Sequence, residues 1–419
     1  MLRSVLSGGL ALALAAGVVQ AQSGSPSPGD LLKDPAVKAA IDAAKASEAH
    51  TIADQIRFCE IPAPSFKEEV RGKELQRVFT QLGLQNVRVD KAGNVLGEYP
   101  GAAAHPHLVL SAHLDTVFPE GTDVKVKREG ALLKGPGIGD DCRGLAVMVT
   151  IIREMKKANV TTPGSITFVA NVGEEGLGDL RGVKELFNTT LKGQIDRFVS
   201  IDGTGIHVTN VAVGSHRYRV TFKGPGGHSF GAFGMANPMG AMGRAIAKIQ
   251  ELQVPKQPRT TFNVGRIGGG TSVNSIPFEG WMELDMRSSD PASLAAIDAS
   301  IQKAIDAAVN EENVRWGKPG AITVVKELVG DRPAGSTPEN SAIVRNGLAA
   351  ATVLGFASGP PGEGSTDSNI PMSLGVPSIT IGGGGRGRDA HALTESFETT
   401  DGWMGTQHAL LLTVALAQK

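Results

Sequence analysis

Cysteine is nearly missing from this 419-residue chain, which has only Cys59 and Cys142. Two cysteines make no disulfide framework, and both read as free thiols. Charge of one sign is missing as well. Lys and Arg number 41 against 42 Asp and Glu, the formal charge is -1, and no long basic or acidic run occurs. Nucleic acid and anionic membrane are therefore excluded as main partners, since both are held by clustered cations. Internal repeats and long low-complexity segments are absent too. An apolar run at 10–19 stands near the N-terminus, and it is too short to anchor in a bilayer.

What remains is a chain with 41% apolar and 20% charged residues, able to bury a large core. Its length suits two or three domains. Residues 1–21 combine Arg3, the apolar run and Val19-Gln20-Ala21, with small residues at the cleavage-site positions. This reads as a secretory signal peptide. No cysteine follows it to carry a lipid, so the expected product is exported, periplasmic or extracellular, without a membrane anchor. Residues 22–30 are expected to be a disordered lead-in.

The chain is organised around residues 108–144. The apolar run Leu108-Val109-Leu110 has the character of a buried strand, and it ends in His113 and Asp115. A Gly/Pro-rich loop, GPGIGDD, then delivers Asp140 and Asp141 just before a helical pattern at 143–157. Further strands are expected at 166–171, 198–201 and 378–381. These run into Glu174-Glu175, Asp202 and, after a glycine-rich loop, His391. Carboxyl ends of strands in open α/β sheets are where ligands and catalytic groups collect. Before them, 35–84 reads as an Ala-rich amphipathic stretch and a second helix, and 87–99 as a strand pair. The pattern is α/β, a central mixed sheet covered by helices.

Residues 214–328 differ in character. Their order, strand, GPGGHS turn, helix, two strands, helix and strand, is the β-α-β-β-α-β signature of a ferredoxin-like α+β module. It reads as a small domain inserted between catalytic segments 31–213 and 329–419. Residues 402–418 read as a closing amphipathic helix.

Two imidazoles and several carboxylates on different strand ends suit divalent metals bound through N and O, Zn²⁺ first. More carboxylates than one ion needs suggests two ions sharing a bridging Asp. Adjacent Glu174 and Glu175 diverge, so one can ligate while the other stays free as a base. Blander roles exist for each. Asp140 and Asp141 could each cap a helix, Asp202-Gly203 could be a turn, and GPGGHS could be only a hairpin. Arg287 could form a strand-face salt bridge, and Asp367 could be a turn or cap residue. The histidines at 50, 105, 107, 207, 216 and 408 read as ordinary surface or core residues.

The ordered set HLDTV, GPGIGDD, EEG, SIDG, GGHS, NSIP with a following D-x-R, GSTD and the late His resembles the co-catalytic zinc exopeptidases and deacylases. These include peptidase T, carnosinase, glutamate carboxypeptidase, aminoacylase and the succinyl-diaminopimelate desuccinylases. The resemblance implies that His113, Asp140 and Asp202 hold one ion, with Asp140 bridging to a second held by Glu175 and His391. It implies Glu174 as general base toward a metal-bridging water and Asp115 as the carboxylate orienting His113. His228, Asn274 and Arg287 would contact substrate, His228 across a homodimer if one forms through the inserted domain. Zn²⁺ is the expected metal, with Co²⁺ or Mn²⁺ as alternatives.

Asp202 stands where the deacylase and carboxypeptidase branches tend to have Glu, which favours short peptides over N-acyl amino acids as substrates. Cys142 replaces a common Lys, and nothing in the sequence accounts for it. An alternative activity is an N-acyl amino acid deacylase or glutamate-carboxypeptidase-type enzyme. An alternative of another class is a non-catalytic exported peptide-binding protein.

Overall fold

Four parallel strands form the middle of the larger sheet. His107–His113 is buried along its whole length and pairs with Ser165–Asn171 on one side and Arg197–Ile201 on the other, and the latter pairs with Ser378–Ile381. Covered on both faces, these strands are near-continuously apolar. Their carboxyl ends share one edge, as the sequence pattern predicts. This is a computed structural model that describes residues 26–318 and 320–419. The expected signal peptide lies outside the described residues.

The hairpin Gln85–Val89 and Val95–Tyr99 extends the sheet at one side, pairing with Ser165–Asn171. Val208–Ala212 extends the other side, antiparallel to Ser378–Ile381, and Gly335–Ser336 and Gly362–Gly364 pair with it in turn. Helix Cys142–Lys157 packs against the sheet and is buried from Cys142 to Met155. Each fully buried Leu, Ile, Val or Met there contributes about 1.5–3 kcal/mol.

The ends of the chain depart from expectation in three places. Pro28–Leu31 is a helical turn closed by a capping box between Ser27 and Asp30, with Pro28 and Leu31 buried, so order begins inside the expected lead-in. The Ala-rich stretch is two helices, Pro35–Ala46 and Glu48–Cys59, broken at Ser47. Helix Trp403–Leu416 is buried all round from Gly405 onward rather than amphipathic. It runs between Pro35–Ala46, Cys142–Lys157 and Ala342–Val353, so no face is left for water.

The smaller sheet has the order Thr260–Gly269, Glu279–Ser288, Gly214–Lys223, Thr323–Arg332, every pair antiparallel. Helices Pro238–Gln250 and Pro291–Arg315 cover it, giving the expected ferredoxin-like arrangement around a core that includes Phe222, Met282 and Ile305. The chain leaves the large sheet after Ala212 and returns at Gly335, and these two residues are paired neighbours. No described helix is long and apolar enough to cross a membrane.

A third sheet of very short strands escapes the sequence pattern. Arg386–Arg388 pairs with Ser396–Glu398, which pairs with Leu132–Lys134 and through it with Lys127–Glu129. Phe397 and Leu133 anchor it in a buried cluster with Cys59 and Cys142, both free thiols. The loop joining its first two strands carries His391.

Candidate metal centre

His113 is the last residue of its strand, and its ring is fixed from both sides. Nδ1 lies 3.0 Å from the Asp115 carbonyl oxygen and therefore carries the proton, which leaves Nε2 as the free donor atom. Nε2 faces Asp140 Oδ1 at 3.0 Å and Asp202 Oδ1 at 4.0 Å. The Asp115 carboxylate is farther from the ring, at 3.7 Å, than its own carbonyl. That carboxylate works mainly on the neighbouring loop: Oδ1 accepts the Glu174 amide at 2.9 Å, and Oδ2 accepts the Glu175 amide at 3.0 Å and the Ser65 hydroxyl at 2.7 Å. The expected orienting role is thus performed by the Asp115 main chain, while its side chain aims the Glu pair.

Asp140 and Asp141 take separate roles. Asp141 caps helix Cys142–Lys157, accepting the Gly144 amide at 3.0 Å and the His113 amide at 3.1 Å. Gly144 is required beside it, since a Cβ there would stand 2.3 Å from Asp141 Oδ1 and 2.6 Å from the Ile201 carbonyl oxygen. Asp140 is left to span the two imidazoles, with Oδ1 toward His113 and Oδ2 3.1 Å from His391 Nε2. Nε2 of His391 also lies 3.2 Å from Glu175 Oε1. His391 holds a left-handed backbone, φ 68°, a conformation costing a non-glycine residue about 1–2 kcal/mol and typical of residues held for a function.

Two donor sets meet at Asp140. His113, Asp140 and Asp202 can place one ligand atom each within 4.8 Å of one another, and so can Asp140, Glu175 and His391. A third grouping is His113, Glu174 and Glu175. The charge balance fits cations. Burial pushes the Glu175 carboxyl up to about 7, with Asp140 and Glu174 adding to it. Burial also pushes Asp202 well up, again with Asp140 adding. Hydrogen bonds to Asp140 and Glu175 raise His391 to about 10, and for His113 its bonds to Asp115 and Asp140 outweigh the opposing effect of burial. Buried carboxylates that draw protons this strongly lack positive charge, and N/O donors in two overlapping triads match divalent ions.

The sequence model of peptidase family M20/M25/M40 matches residues 109–415. The chain belongs to this family. It is accordingly a peptidase or amidohydrolase. An uncharacterised Bacillus subtilis protein, YqjE, is 26% identical over 350 residues, spanning 80% of this chain and 90% of that protein. The structure of a Staphylococcus aureus tripeptidase superposes with a TM-score of 0.72 at 23% identity, over 88% of this chain and 98% of that one. The Bacillus subtilis YxeP protein, described as a dinuclear metal binding peptidase of the M20 family, superposes at 0.66 and 16% identity, over 88% and 98%. At these identities the superpositions establish the shared fold.

In this M20 chain the expected substrate contacts all lie on the small domain. His228 lies on a two-residue strand against Ser275, its Nδ1 accepting the Phe230 and Gly231 amides at 3.2 Å each. Asn274 is its neighbour, its carbonyl accepting the Ser229 amide at 3.0 Å. Arg287 pairs with Asp285 at 2.9 Å, the strand-face salt bridge named as its alternative. Among the described residues no hydrogen bond or ion pair joins these three to the metal-ligand candidates. Asp367 lies in the turn before helix Asn369–Ser373, as its alternative reading had it, and is fully buried there. Its Oδ2 accepts from Asn171 at 2.7 Å, and burial, with Glu174 adding, pushes it up to about 7.

Sequence reasoning missed the residues that brace the M20 site. Glu395 accepts the Gly137 and Gly139 amides at 2.8 Å and the Asp140 amide at 3.1 Å, fixing the whole GPGIGDD loop. Arg217 of the small sheet donates to the Gly176 carbonyl at 2.7 Å. Arg332 donates to Glu174. Of these only Glu395 has a local signal, a carboxylate four residues after the late His.

Proposed function

We propose that this chain is an exported di-metal exopeptidase of short peptides, a di- or tripeptidase or aminopeptidase-like enzyme. The observation that carries the reading is Asp140, whose two oxygens face His113 and His391 in separate donor sets. One ion would be held by His113, Asp140 and Asp202 and the other by Asp140, Glu175 and His391, most simply Zn²⁺, with Co²⁺ or Mn²⁺ fitting the same donors. Bound there, the ions supply a polarising charge for the scissile carbonyl and lower the pKa of attacking water.

The protein's own part follows from its geometry. Glu174 is buried with its backbone aimed by Asp115 and is absent from both Asp140-centred triads, so its carboxylate, held at Oε1 by Arg332, is spared as a ligand and can take a proton from water and return it to the leaving amine. Asp115 fixes the ring of His113 and the direction of the Glu pair together. Asp202 in place of Glu supports peptides over N-acyl amino acids. The sequence of residues 1–21 supports export.

His228 and Asn274 stand at an exposed two-stranded pairing of the small domain, Gly227–His228 with Ser275–Ile276, near Phe230, Phe233 and Val273 in the chain, which are 90%, 81% and 102% exposed. This reading assigns them to substrate contact, with Arg287, His228 acting across a homodimer by reaching the partner's cluster. Turnover of a panel of dipeptides, N-acetylated amino acids and a folate-like substrate, with sedimentation to fix the oligomer, tests it. Cleavage confined to the N-acyl compounds would move the assignment to the deacylases, and a monomer with full activity would remove the cross-subunit role of His228.

A further inference from the structure

The seam between the two sheets closes on one short loop. After Glu174 and Glu175 the chain runs through Gly176 to Arg181, and three residues at the base of the small sheet grip it. Arg217 donates to the Gly176 carbonyl at 2.7 Å, the Asp331 amide donates to Asp179 Oδ1 at 2.8 Å, and Lys184 donates to the Asp331 carbonyl at 2.8 Å. The fourth contact is the deepest. Arg332, the last residue of its strand and only 4% exposed, donates Nη1 to Glu174 Oε1 at 3.0 Å and Nη2 to the Glu174 carbonyl oxygen. Nη1 is also 3.2 Å from Ser365 Oγ.

We propose that Arg332 is a positioning residue that fixes the carboxylate of Glu174 from the join between the two domains. The inference rests on the reading of Glu174 as the general base. A guanidinium that binds both the side chain and the main chain of one residue restricts its rotamer as well as its backbone. Burying that cation is expensive, and one partner does not exhaust it. Its Nε has no hydrogen-bond partner, and nor has the nearby Asp367 Oδ1. Asp367 follows Glu174 as the next anion supporting the Arg332 charge. Buried unpaired groups of this kind are retained where an arrangement is needed for work rather than for stability. Because Arg332 stands three residues before Gly335, where the chain rejoins the large sheet, any rotation of the small domain moves the group that aims Glu174.

The test uses Arg332→Met and Arg332→Lys in the metal-loaded full chain, read as kcat, KM, bound metal and melting temperature. Arg332→Met is expected to lower kcat about a hundredfold or more, with KM within about threefold and metal content unchanged. Arg332→Lys, which keeps the charge but not the two-pronged donor, should recover part of that loss and covers the case in which Met fails to fold. In a Glu174→Gln background either change should have almost no further effect on kcat, because the two act as one unit. Unchanged kcat, a rise in KM alone, or full additivity with Glu174→Gln would overturn the proposal. Loss of activity in the wild type itself would instead overturn the peptidase reading beneath it.

Discussion

Glu175 and His391 face each other at 3.2 Å, and each must shed a proton before a cation can sit between them and Asp140. With Glu175 raised from 4.5 to about 7 by burial and His391 raised from 6.5 to about 10 by its carboxylate partners, metal affinity must climb as pH rises. The metal-free fold responds in the opposite sense. Both folded-state values lie above the unfolded ones, so their stabilising contribution is complete below the unfolded values and is lost as pH rises through about 7 and about 10. The predicted result is a larger metal-induced rise in melting temperature at about pH 8 than at about pH 5.5. Equal rises would count against Glu175 and His391 as ligands. At the same scale, Glu174→Ala should reduce kcat by about 10²–10⁴ with bound metal retained. Turnover within a few-fold of wild type would remove it as the base.

Elements, rather than single side chains, decide where those residues stand. Helix Cys142–Lys157 can start only because Asp141 caps it while Asp140 turns away, and Gly144 makes room for the cap. Gly144→Ala is predicted to cost about 2–4 kcal/mol, from overpacking and a displaced cap, and to lower metal occupancy through the adjoining Asp140. Denaturant melts and metal analysis of the variant check both. The central strands were legible from sequence because buried parallel strands are continuous apolar runs that end abruptly in His, Asp or Glu. The sheet carrying His391 was not, since strands of three residues such as Arg386–Arg388 hold no readable period. Glu395 and Arg332 were hidden for another reason. They act on partners 256 and 158 residues away, a separation that local patterning does not register. The closing helix misled because its amphipathic look presumes a solvent face that three neighbouring helices cover.

At the scale of the whole molecule, the ligand candidates belong to the large sheet and its loops or, for His391, to a loop of the third sheet, while the residues assigned to substrate contact belong to the small one. Ala212 and Gly335 are paired, so a two-residue Asn-Gly turn can join them in place of residues 213–334. The excised chain is predicted to melt cooperatively and bind metal, yet to hydrolyse nothing, because Glu174 loses its brace and substrate loses its second wall. A chain that cannot fold after excision would show instead that the large sheet depends on the small domain.

The central claim is a pair of divalent ions bridged by Asp140, and the most direct measurement is metal per chain by elemental analysis of protein purified without chelator, paired with dipeptide turnover before and after chelation. The account predicts about two ions per chain and cleavage that disappears on chelation and returns with zinc. A protein that stays metal-free when offered zinc, or that cleaves dipeptides equally well without metal, would contradict it.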